Sequence, residues 1–276
     1  MAFQPPIAGL EGLARLIGEL GGDAGPVLAA AGLDPAALSR RELAIPPRAF
    51  QTALGLAAQA TGREDFGLML AKRRTLETLG GLAPLVGSAP RVGEALDQLF
   101  RLMPYSFAGG VRAYVERRGA DAMLTGQVVL DDPPALDQQL DHLAGAAVGL
   151  LRQLTRPDWR PEAVYLARRR PAQTGPYETY FRAPVLFGQE VTGIAIRASL
   201  LDTPIARANL DLNRVLYAQL SARADPAGSG IFRPGARPRL ARPGGGPLRG
   251  ARDRRRSGRA PAQLPAAPEP GGRRLQ

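Results

Sequence analysis

The chain has 276 residues, 45% of them hydrophobic, with 36 basic and 25 acidic side chains and a net charge of +11. That length and apolar content suffice for one large domain, or two small ones, with a sizeable core. With no cysteine, disulfides, thiolate nucleophiles and cysteine-based metal sites are excluded. No basic segment followed by an apolar run opens the sequence, so no signal peptide is read. The longest apolar stretch, residues 143–151, is short of the ~20 residues a membrane helix needs. The expectation is a cytoplasmic protein with no membrane partner.

The first hundred residues predict helices. "GLDPAAL" places a start at Asp34, with Pro35 at the first helical position. "IPPRAFQTALGLAAQATG" predicts a helix from Pro47, its stripe carried by Phe50, Leu54 and Ala57 and its stop by Gly62. "EDFGLMLAKR" predicts a short third helix, with Thr61 and Glu64 as a capping box. "SAPRVGEALDQLFRLM" predicts a fourth, capped by Ser88, with Val92, Ala95, Leu96, Leu99, Phe100 and Met103 on its apolar face.

The period then changes. Residues 111–130 alternate around "RGAD" and predict a β-hairpin. "PALDQQLDHLAGAAVGLLRQLT" returns to helical spacing, with Leu136, Leu140, Leu143, Ala147, Leu151 and Leu154 on one face. Residues 161–168, 183–187 and 193–198 predict strands, and "TGPYETYFR" a short helix between them. "ANLDLNRVLYAQLSAR" predicts a last helix. The fold class is α+β: a mostly helical N-terminal part, then a β-hairpin, a helix and mixed elements.

Enzyme signatures are absent. His142 is the one histidine, and without a partner motif a structural or solvent-facing role is expected for it. There is no G-x-S-x-G elbow, "GGG" at 244–246 lacks the rest of a phosphate loop, and Asp131–Asp132 read as a solvated turn. Neither a cofactor nor a metal is expected, nor an enzyme activity. The basic run "ARRRP" (167–171) reads as an exposed strand end, with binding of phosphate or an acidic ligand as the alternative. Tyr105, Phe107, Tyr114, His142 and Trp159 are the candidates for lining a small-molecule cavity, because such pockets combine apolar walls with a few polar tips. Ordinary packing is the alternative for each.

The stretches "AAGLDPAAL", "IPPRAFQTALGLAAQATGREDFGLMLA", "LGGLAPLVGSAPRVGEALDQLFRL", "RPDWRPEAVYLARRRP", "YETYFRAPVLFGQEVTGIAI" and "SLLDTPIARANLDL" follow one another in an order that resembles AraC-type bacterial transcriptional regulators. The resemblance covers roughly residues 10–220 and is to the arabinose-binding-like N-terminal domain. It implies a small-molecule effector and a homodimer, for which the amphipathic helix at residues 206–223 is a candidate surface. In a complete regulator it also implies a C-terminal pair of helix-turn-helix units that bind DNA.

Residues 226–276 carry 12 arginines against one aspartate and one glutamate, leaving residues 1–225 with a net of +1. The basic signal therefore belongs to the tail, and the expected division is a 1–225 sensor and dimerisation domain followed by a 226–276 segment rich in Arg, Pro, Gly and Ala. That composition cannot bury enough surface to fold, and disorder is expected. No stretch of it resembles a helix-turn-helix, so direct operator reading is not expected of this chain. Arg, Pro, Gly and Ala codons begin with two G or C bases, so a frameshift near Arg223–Pro226 in a GC-rich gene would yield such a tail. The alternatives are a stand-alone ligand-binding or dimerisation module, and a genuine basic tail whose Arg252, Arg254, Arg255, Arg256 and Arg259 contact phosphates without reading sequence.

Overall fold

Four helices carry the apolar periodicity of the N-terminal part: α1 (Ala8–Glu19), α2 (Ala24–Ala30), α3 (Pro47–Thr61) and α4 (Phe66–Ala71). The computed structural model describes residues 8–34, 45–106 and 110–224. Asp23 caps α2, its carboxylate accepting from the Gly25 N–H at 2.9 Å. Gly62 ends α3 in the left-handed conformation, φ 64°, which costs a glycine little. Leu13, Leu16, Ile17, Leu28, Leu54 and Phe66 close over one another as a core of their own. The helix start expected at Asp34–Pro35 lies largely outside the described residues.

Two expected caps are not formed. Thr61 belongs to the last turn of α3, where its hydroxyl donates to the Ala57 carbonyl, and the Glu64 carboxylate accepts from the Ala172 N–H. No capping box opens α4. Ser88 closes a further helix, α5 (Ala83–Ser88), and its hydroxyl donates back to the Leu85 carbonyl. The next helix, α6 (Val92–Ser106), starts four residues later, after a one-residue bridge between Arg91 and Pro204. Pro90 accounts for the break: its ring disfavours helical geometry at Ala89, which is extended.

The hairpin forms as β1 (Val111–Arg118) and β2 (Asp121–Val128), turning at Gly119 with φ 63°. Helix α7 (Leu136–Leu154), strand β3 (Ala163–Leu166), helix α8 (Gly175–Phe181) and strands β4 (Val185–Phe187) and β5 (Thr192–Arg197) follow. The sheet order is β1-β2-β5-β3-β4, antiparallel except for the β3–β4 pair. The fold class is α+β, as the change of period predicts. The main core lies between this sheet and α5–α8, around Leu96, Leu124, Val148, Phe181 and Ile194.

The last helix, α9 (Leu210–Ala224), is held by a polar anchor rather than by an apolar stripe. The buried Asn213 amide donates to the Leu85 carbonyl and exchanges hydrogen bonds with the Gln98 amide. Leu220 is the one large apolar side chain of α9 that is fully buried, while Leu210, Leu212 and Val215 are 48%, 44% and 54% exposed. Among the described residues no helix is long and apolar enough to cross a membrane. Residues 226–276 lie outside the described residues.

Candidate functional site

Helix α7 is buried on two faces, and each face carries polar side chains into the interior. Its predicted stripe holds in part: Leu140, Leu151 and Leu154 are buried, Leu143 and Ala147 half-buried, and Leu136 exposed. The same helix also buries Gln138, Gln139, Asp141 and His142.

One face carries Asp141 into a buried ion-pair cluster that leaves its Oδ1 without a hydrogen-bond partner. The Tyr177 hydroxyl donates to Asp141 Oδ2 at 2.7 Å, and Arg168 forms an ion pair with the same oxygen. Arg168 also donates to the Glu64 carbonyl at 3.2 Å. Burial pushes the Asp141 carboxyl up, opposed by the Arg168 charge and by the Tyr177 and Arg168 hydrogen bonds; the net direction is upward. This corrects the reading of "ARRRP" as an exposed strand end. Arg169 and Arg170 are exposed, but Arg168 is buried and its acidic partner is internal.

The other face borders a cavity of about 240 Å³. Gln139, His142, Leu143, Ala146, Leu150 and Gln153 recur at three- and four-residue spacing along α7 and line one wall. Polar groups sit at both ends of that row and apolar ones in the middle. Strands β1, β2 and β5 supply the facing wall through Val111, Ala113, Leu124, Thr125, Gly126 and Ile194. Phe50 and Gln51 of α3, Phe100 and Met103 of α6, and the 74–79 segment complete it. Gly126 matters here for its lack of a side chain. A Cβ at that position would meet only Leu143, at 3.9 Å, so any larger group would project into the space.

His142 is 5% exposed, and its Nδ1 lies 3.3 Å from the Gly67 carbonyl. A carbonyl accepts, so Nδ1 carries the proton and Nε2 is left as an acceptor. Burial pushes the imidazole down to about 3, the nearby Arg74 charge adds to this, and the Gly67 bond opposes it. The ring is therefore neutral at neutral pH, and it packs edge-on against Phe50 at 5.8 Å. Gln51 and Gln139, 2% and 5% exposed, each bury a side-chain oxygen with no hydrogen-bond partner. Arg74, half-buried, lines the same cavity, and burial pushes its guanidinium down to about 10. Gln153 holds the backbone on either side of the intervening Thr75: its amide donates to the Arg74 carbonyl and accepts from the Leu76 N–H.

Of the residues expected to line a cavity, His142 does so. Tyr114 and Trp159 do not line this one. Val111 and Ala113 of β1 face the cavity, and Tyr114, between Ala113 and Val115, alternates away from it. Trp159 is buried in the main core, its carbonyl accepting from Arg152. The Tyr105 side chain, Phe107 and Arg252, Arg254, Arg255, Arg256 and Arg259 lie outside the described residues. Gln51, Gln139 and Arg74 were not expected. A signal existed for the first: Gln51 stands three residues before Leu54, on the apolar stripe of α3, where a polar side chain is out of pattern.

The family model for the arabinose-binding domain of AraC transcription regulators, N-terminal, matches residues 21–205. The chain belongs to this family. Every residue lining the cavity falls inside that AraC-type match. Among solved structures, the AraC-type domain is similar to the transcriptional regulator CdpR from Pseudomonas aeruginosa, with 24% identity and a TM-score of 0.56. The match covers 74% of this chain and 64% of that one, so the chain spans less than two thirds of the CdpR chain. At this identity the likeness concerns the fold. No curated protein matches the chain. The resemblance to AraC-type regulators read from the sequence is thus the family in fact.

Proposed function

We propose that residues 1–225 are the effector-sensing part of a transcriptional regulator and that the cavity between α7 and the β1-β2-β5 sheet is the effector site. The observation that carries this is the presence, inside the family domain, of a mainly apolar cavity with polar groups buried at its wall and no partner for two of them. At about 240 Å³ it is just below the ~300–1,000 Å³ usual for small-molecule pockets, which suits a small ligand. Binding would act by linkage: a ligand that prefers one arrangement of α7 against the sheet shifts the population toward it. A regulatory rather than catalytic role fits the family, and no nucleophile, base and oxyanion set stands at the cavity.

Pairing of two copies is part of the same proposal, with α9 as the surface to test, because it leaves three large apolar side chains exposed. Val215→Glu should shift sedimentation from dimer to monomer, and an unchanged dimer would move the interface elsewhere. The sensing itself is tested by thermal shift with a small-molecule panel on the full chain. At least one compound should raise the melting temperature saturably, and Gly126→Leu, which fills the cavity, should abolish that rise while circular dichroism stays unchanged. A ligand response that survives Gly126→Leu would place the effector site elsewhere.

A further inference from the structure

Among the described residues on the cavity wall, Arg74 is the one with a charge, and no carboxylate stands there. Its guanidinium makes no ion pair or hydrogen bond among them. Elsewhere in the molecule arginines find acids: Arg73 pairs with Glu19, Arg101 with Asp97, Arg117 with Asp202. A guanidinium drawn out of water without a counter-charge is unfavourable, and its planar fork is shaped for a carboxylate. His142 adds no second charge, since its Nδ1–H is committed to Gly67 and the ring is neutral. Two further groups are uncompensated. Gln51 Oε1 and Gln139 Oε1 are buried acceptors without donors, and a buried acceptor left unmatched is costly. The remaining wall is mainly hydrocarbon, with Leu79, Leu99, Phe100, Leu124 and Leu150, and Thr75, Thr78, Thr125 and Thr192 add the other polar atoms beside Gln153.

Resting on the reading of this cavity as the sensor site, we infer that its ligand is a small, mainly apolar carboxylate that also bears a hydroxyl or N–H donor. The carboxylate pairs with Arg74, the donor reaches Gln51 or Gln139, and the hydrocarbon part lies against the leucines and Phe100. A volume of about 240 Å³, just below the range usual for small-molecule pockets, suits a ligand of on the order of ten non-hydrogen atoms. A neutral sugar would leave Arg74 unmatched and place many hydroxyls against hydrocarbon.

The test uses the full chain, thermal shift and calorimetry, and two arms. The first arm is aromatic and branched carboxylates of about six to ten carbon atoms, with and without a hydroxyl, each beside its neutral primary amide. The second is neutral pentoses and hexoses. The expected result is at least one hydroxylated carboxylate binding about tenfold to a hundredfold more tightly than its amide. Arg74→Gln should erase that preference while leaving the affinity for the amide unchanged, which shows the cavity intact, and Arg74→Lys should restore part of it. Gln51→Leu or Gln139→Leu should weaken the hydroxylated compound and spare its unsubstituted parent. Equal binding of acid and amide, or a preference that survives Arg74→Gln, would overturn the inference. Sugars binding where carboxylates do not would overturn the ligand class and leave the sensor reading standing. No binding in either arm would sink both, and would mark the cavity as holding buried water only.

Discussion

Helix α7 offers its own control: two polar clusters, Asp141, Arg168 and Tyr177 on one side and Arg74, Gln51, Gln139 and His142 on the other, in which an arginine is treated differently. On one side Asp141 meets Arg168 and the Tyr177 hydroxyl, and a negative group is matched by a positive one within the protein. On the other, Arg74 has no acid and the amide oxygens of Gln51 and Gln139 have no donors. The difference teaches how to separate structure from function among buried polar groups. A matched pair fixes how elements pack. Unmatched groups around one apolar space reduce stability, and they are tolerable where a ligand supplies what is missing.

The largest effect should come from breaking the matched side. Arg168→Met leaves the Asp141 carboxylate buried without its cation and should cost about 3–5 kcal/mol by denaturant unfolding. The double variant Arg168→Met with Asp141→Leu should recover much of the loss. A single-variant cost near zero would mean that the cluster does not hold α7.

Next is the seat the two sides share. Gly67 of α4 donates its N–H to the Gln138 side chain at 2.8 Å and offers its carbonyl to His142. A Cβ there would collide with the Gln138 backbone carbonyl, which cannot swing aside. Gly67→Ala should therefore cost about 3 kcal/mol, the upper end for overpacking, with weakened ligand binding as a second readout.

The third test is pH. The His142 imidazole is held at about 3 when folded, against 6.5 in its ordinary state. The unfolded chain therefore binds the proton more readily, and stability is lost as pH falls below 6.5. Between pH 7 and pH 5 the loss from this group should be about 2 kcal/mol. It is measured as the difference between the protein and His142→Gln at the two pH values. That subtraction also removes Asp141, whose raised carboxyl acts in the opposite sense, lowering stability as pH rises. An identical pH dependence in both proteins would show that the ring is not held neutral by burial.

The smallest effect sharpens the contrast most. Arg74→Gln removes an uncompensated, half-buried charge, so it should leave stability unchanged or raise it by up to about 1 kcal/mol. A loss as large as that of Arg168→Met would mean that Arg74 has a structural partner and that the two sides of α7 are alike.

How far the sequence reached can be seen in particular residues. Pro47 at a helix start, Gly62 at its stop and the alternation around Gly119 each act within a few residues, and the corresponding elements formed where expected. Ser88 misled because its role depends on Pro90, which ends one helix before the next begins. Arg168 misled more seriously. Beside Arg169 and Arg170 it reads as part of a solvated run, and only the return of β3 toward α7 brings it to Asp141, 27 positions away.

Local chemistry in the chain settled the elements, the neutral body and the family, because caps, turns and periodicities are written in neighbouring residues. Which face of α7 meets a partner charge and which meets a cavity was decided by the packing of segments far apart in sequence. Charge and hydrogen-bond compensation is a property of neighbours in space, so Gln51, Arg74, Gln139 and His142 came to line one cavity only when α3, the 74–79 segment and α7 came together.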